Sequence, residues 1–140
     1  IKNNSAEIAL MWGKYYIPFR MEVEVDDKVE KQIATAMKGT SRGEYYTAAR
    51  YYYDNDKDLG KALEWSKKAN EIDAKFWQMR LQALILGKMG RYDEAIATAQ
   101  KSTAMAEEAK NTSYPIMNNK SISEWTAKKG GKKMKTERMK

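Results

Sequence analysis

Five tyrosines fall within nine residues, Tyr45, Tyr46, Tyr51, Tyr52 and Tyr53, and Arg50 lies among them. Such rings can stack on a sugar or carry redox chemistry, and beside a guanidinium they can seat an extended peptide or an acidic terminus. Because the five cover nearly every face of a helix, several must be core, and packing is the stronger reading. A second group, Trp77, Arg80, Leu84 and Lys88, again sets an aromatic and cations at steps of three or four, which places them on one helical face. Glu22 and Glu24 share one side of a strand and could flank a sugar or hold a cation, although alternating charge on a strand usually serves solubility. Seven Lys or Arg close the chain: Lys128, Lys129, Lys132, Lys133, Lys135, Arg138 and Lys140. They could attract nucleic acid or anionic lipid, but no aromatic is interleaved to stack on bases, so specific nucleic-acid binding is not expected.

The 140 residues include neither cysteine nor histidine. This removes disulfides, thiolate nucleophiles, the usual zinc sites and Ser-His or Cys-His catalysis, together with the side chain best suited to proton transfer near neutral pH. We therefore expect no catalytic residues, no metal, no cofactor and no enzymatic activity. The net charge of +7 is unevenly spread: residues 128–140 carry seven cations and Glu137, or +6, leaving +1 for the rest. With two glycines and almost no apolar content, this tail is expected to be disordered. No segment approaches the roughly 20 apolar residues of a transmembrane helix.

Residues 6–25 have period two. Ile8, Leu10 and Trp12 precede Gly13-Lys14, and Tyr15, Ile17, Phe19, Met21, Val23 and Val25 follow it. A two-residue turn at Gly13-Lys14 would set Trp12 opposite Tyr15, Leu10 opposite Ile17, Ile8 opposite Phe19 and Glu7 opposite Arg20. Pro18 requires an edge strand or a bulge. A lone hairpin with such an apolar stripe needs a partner, so residues 1–25 are expected to end a β-domain lying upstream, or else to pack on the helices.

From Asp27 the period becomes helical. Asp26-Asp27 is placed to cap a helix carrying Val29, Ile33, Ala36 and Met37, with Gly39 to end it. After a loop at 40–43, helices are expected at about 44–55, 59–72, 75–89 and 92–110, and a last one at about 114–127 carries Ile116, Met117, Ile122 and Trp125. An internal period of 33 residues maps Ala62, Leu63, Ala69 and Ile72 onto Ala95, Ile96, Ser102 and Met105. With one residue more, Tyr45, Ala49 and Tyr52 map onto Met79, Ala83 and Leu86. Small residues at these places let paired helices approach closely, while larger ones fill the groove to the next pair.

With Gly90 and Tyr92 in the turn, the pattern over about residues 44–110 resembles a tetratricopeptide repeat. It departs from that pattern at Ala74 and Glu107, where a proline usually closes the repeat, at Ser66 and Ala99, where a larger residue is common, and in the long first turn YDNDKDLGKAL. The resemblance implies a tetratricopeptide-like α-α superhelix of antiparallel helix pairs over residues 26–127, mainly α and preceded by the hairpin. It also implies a concave face built from the first helix of each pair, with Tyr46, Arg50, Tyr53, Trp77, Arg80 and Lys88 as a peptide-binding groove; the competing reading makes Tyr46 and Trp77 packing residues and the arginines solvated charges. Over the whole chain, the order ALMWGKYYIPFRMEV, KALEWSKKA, FWQMRLQALILGKMGRYDEAI and NNKSISEW resembles a bacterial family without assigned activity. In that family a β-rich domain precedes a helical half, and the proteins are usually exported, which would imply a periplasmic or cell-envelope location.

Three uses follow. The first is a non-catalytic module that binds a protein, a peptide or its own upstream β-domain. The second is the helical accessory half of an envelope enzyme or ligand-binding protein whose active groups lie upstream. The third is weak polyanion binding through the basic tail.

Overall fold

The computed structural model describes residues 5–22, 26–36 and 41–137. The chain divides into two compact units, Ile1–Gly39 and Thr40–Lys140.

In the first unit, β1 (Ser5–Trp12) and β2 (Tyr15–Glu22) form an antiparallel hairpin, and α1 (Asp26–Ala36) follows. The register is the expected one, with Trp12 opposite Tyr15, Leu10 opposite Ile17, Ile8 opposite Phe19 and Glu7 opposite Arg20. Gly13 takes a positive φ of 59° at the first central position of the turn, the conformation that a II′ hairpin turn needs and that glycine adopts without strain. Pro18 pairs with Ala9 in an unbroken register, so its edge position and not a bulge accommodates it. From Ile8 to Phe19 the hairpin's large apolar side chains are exposed, Trp12 most of all at 88%. The expected contributions of Val23, Val25, Met37 and Gly39 lie outside the described residues.

Among its described residues the second unit contains five helices: α2 (Arg42–Asp54), α3 (Leu59–Asp73), α4 (Phe76–Lys88), α5 (Tyr92–Glu108) and α6 (Ser113–Glu137). Their ends are written in local chemistry. Ser41 and Glu44 form a reciprocal capping box, in which the Ser41 N–H donates to Glu44 Oε2 at 2.6 Å and the Glu44 N–H donates to Ser41 Oγ at 3.4 Å. This S-x-x-E pattern starts α2 at Arg42, two residues before the expected start, because residues 42 and 43 complete the turn that the box closes. Asp58 accepts from the N–H groups of Gly60 and Lys61 at 2.8 and 3.1 Å, and Asn111 accepts from those of Ser113 and Tyr114 at 3.1 Å each.

Three helices close in the same way. The Lys57, Arg91 and Asn111 N–H groups reach back to the Tyr52, Leu86 and Ala106 carbonyls at 3.0 Å or less, each across a residue with positive φ: Asp56, Gly90 or Lys110. Asp56 thus does in the first helix pair what Gly90 does in the second.

The helices pack as pairs. α2 lies along α3 and α4 along α5, α3 and α4 join the pairs, α6 lies along α5, and lesser contacts link α2 to α4 and α4 to α6. The first helices of successive pairs therefore neighbour one another, with α6 standing where a third would begin. The positions of the 33-residue period are where the helices touch: Ala49, Ala83, Ala62, Ala95, Ala69, Ser102, Ser66 and Ala99 are all buried. Between them Tyr52, Leu63, Leu81, Ile85, Leu86 and Trp125 fill the core, each aliphatic side chain contributing about 1.5–3 kcal/mol by its burial.

Two expectations need correction. Ile72, paired in the period with Met105, is 55% exposed. It lies in the last turn of α3, whereas Met105 is half-buried on α5, which α6 covers. The last helix does not stop near Ala127, and residues 128–137, expected to be disordered, continue it to Glu137. Lysine and methionine are good helix formers, no proline intervenes after Trp125, the helix runs through Gly130-Gly131, and the Lys129 ammonium is paired with Asp93 at the start of α5.

Candidate functional site

The tyrosine-rich helix α2 distributes its rings by angle. Tyr52 alone of the five is buried, meeting Trp65 of α3 edge-on at 4.8 Å between centroids. Tyr45, Tyr51 and Tyr53 are half-buried, each with a lysine ammonium over its face: Lys68 at 5.6 Å, Lys57 at 5.5 Å and Lys88 at 4.9 Å. The cluster is therefore mostly a wet face with one core anchor, and Tyr45, aligned with a core position, is only partly withdrawn from water.

Across α2 and α4 the structure brings together Tyr46, Arg50, Tyr53, Arg80 and Lys88. Arg50 Nε donates to Asp54 Oδ2 at 2.6 Å, and this bond, with a smaller contribution from Tyr46, holds its guanidinium above the usual arginine range. The Lys88 ammonium sits over Tyr53, donates to the Tyr53 carbonyl at 3.2 Å and pairs with Asp56. Trp77 lies one turn before Arg80 and packs edge-on against Phe76 at 4.8 Å. Leu84 is half-buried.

Arg80 is the least ordinary member. Its Nη1 donates to Asn118 Oδ1 at 2.7 Å, and Asn118 is fully buried. The Asn118 amide donates in turn to Ser102 Oγ at 3.0 Å and Thr103 Oγ1 at 3.1 Å, and Ser102 Oγ donates to the Phe76 carbonyl at 2.7 Å. This chain ties α4, α5 and α6 together with its buried amide satisfied. Burial lowers the Arg80 pKa; Arg50 nearby pushes in the same direction, while Tyr114 and Tyr53 oppose it. The reading of both arginines as ordinary solvated charges suits Arg50, which is exposed, and not Arg80.

Sequence reasoning missed Tyr114 and Asn118. The step from Tyr114 to Asn118 matches that from Met79 to Ala83, but the offset has grown to 35 residues and an asparagine stands where alanine recurs. Glu22 is opposite Ser5 in the hairpin register, and Glu24 lies outside the described residues. Among the described residues no group of three or more acidic side chains converges to hold a metal, and no helix is long and apolar enough to cross a membrane.

These features define a mainly helical protein of packed helix pairs that follows a two-stranded hairpin, with a polar, aromatic face shared by α2, α4 and α6. Comparison with protein families, curated proteins and solved structures gives no match.

Proposed function

We propose that the chain is a non-catalytic interaction module, a tetratricopeptide-like stack whose α2–α4–α6 face receives a peptide or a segment of a partner protein. One observation carries this reading. Tyr46, Arg50, Tyr53, Arg80 and Lys88, which lie up to 42 positions apart in sequence, share a face with Tyr114 while the alanine-lined contacts lie between the helices. Half-exposed rings beside cations bind extended chains well, because they offer contact area at low side-chain entropy together with hydrogen-bond donors.

The test is to select peptides from a random library on the 140-residue chain and map the best binder by amide chemical shifts. Perturbations are expected on α2, α4 and α6, and Tyr53→Ala should weaken capture about tenfold while moving the thermal midpoint by only a few degrees. Perturbations confined to residues 128–140 would favour polyanion binding by the basic end, and a silent helical face would end the interaction reading.

A further inference from the structure

We propose that Arg80 is an anion-recognition residue and that the segment received by this face is an acidic peptide, one of whose carboxylates takes the place of a counter-ion that Arg80 lacks among the described residues. The proposal rests on the interaction reading above and specifies its ligand.

The charge inventory of the face leads there. Arg50 has Asp54 and Lys88 has Asp56. Among the described residues Arg80 faces no carboxylate, and its hydrogen-bond partner is the neutral amide of Asn118. A half-buried cation held by a neutral acceptor has given up part of its hydration without gaining an opposite charge. Its lowered pKa, with desolvation as the largest cause and Arg50 adding to it, says that an incoming anion would relieve the site.

Geometry supplies the rest. Asn118 is buried and held by Ser102 and Thr103, so it fixes one edge of the guanidinium and leaves the other N–H donors for a ligand in an orientation already paid for by folding. The Tyr53 and Tyr114 phenols are its electrostatic neighbours and can add hydroxyl donors. One uncompensated positive charge matches one carboxylate, whereas a phosphate near two negative charges would need a second free cation, and both others are engaged.

The experiment uses two labelled ten-residue peptides, one of alternating Glu and Ala and one with Gln for every Glu, titrated into the 140-residue chain and followed by fluorescence anisotropy. The acidic peptide is expected to bind at least about tenfold more tightly than the amide peptide. Arg80→Gln should abolish that preference, and Arg80→Lys should restore part of it, since lysine keeps the charge but loses the fork. Circular dichroism of both variants checks that the Asn118 network still supports α6; if Arg80→Gln unfolds the chain, the Arg80→Lys result decides.

Equal affinity for the two peptides, a preference that survives Arg80→Gln, or binding of neither would overturn the proposal. If both peptides shift α2, α4 and α6 amides without discrimination, only the carboxylate assignment fails. If neither shifts them and the library selection is also silent, the interaction reading fails with it. A preference that disappears when residues 128–140 are removed would place acid binding in the basic end and sink the Arg80 assignment.

Discussion

Gly87 shows how one residue can be chosen by a neighbour distant in sequence. It lies inside α4, where glycine is about 1 kcal/mol less favourable than alanine. A Cβ built there would overlap the indole of Trp125, which is 6% exposed on α6. Helix propensity and packing therefore oppose each other at this position, and the packing effect is larger: moving a buried indole forfeits part of the 3–5 kcal/mol usually lost when a large aromatic is removed. Gly87→Ala is expected to destabilise the chain by about 1–3 kcal/mol in urea denaturation, and a stabilising result would mean that the indole is not seated on Gly87. Asn118 carries the same lesson in polar form. An asparagine near the start of a helix reads from sequence as a surface residue, yet its amide is the buried joint of three helices.

Helix ends carry the pH response of the elements. The Glu44 carboxylate is held below the ordinary glutamate range by its hydrogen bonds with Ser41, and Glu94 by Arg91, whose guanidinium donates through Nε and Nη2 at 2.7 and 2.6 Å. For a carboxyl whose folded pKa is depressed, the unfolded state binds the proton more tightly, so the stabilisation is complete above the unfolded value and is lost as pH falls through the folded one. Thermal midpoints should therefore fall as pH drops below the ordinary glutamate range, and Glu44→Gln should make that acid limb shallower while changing little once both states are protonated; an unchanged limb would show that the capping box adds nothing in solution. The contribution is modest, because both carboxyls are open to solvent, which screens their partners. The box leaves a mark in the sequence, Ser41 and Glu44 three positions apart, which the expectation of a loop at 40–43 passed over. The left-handed closure at Asp56 leaves none, since nothing in a run of Asp, Asn and Lys singles out which residue adopts positive φ.

For the whole molecule, the described core runs from Ala48 to Trp125, within the second of the two units. Removing residues 1–39 is thus expected to leave the thermal midpoint of the helical circular-dichroism signal within a few degrees of the intact chain; a drop of more than about 10 °C would show that the hairpin or α1 supports the stack. The sequence by itself determined the hairpin and its register, because period two and a Gly-Lys turn allow one self-consistent pairing. It also determined the helix pairs, because small residues let two backbones approach, and Ala or Ser recurring at 33 or 34 positions marks buried sites on both pairs. Tertiary structure alone decided which tyrosine is core, that Ile72 is left in water, and that the last helix continues to Glu137. It also decided that Arg80, one cation among many in the sequence, is half-buried with no opposite charge beside it among the described residues. Periodicity records which face of a helix turns inward, but burial and charge balance depend on what the neighbouring helices place against that face, and those neighbours come from as far as 38 residues away.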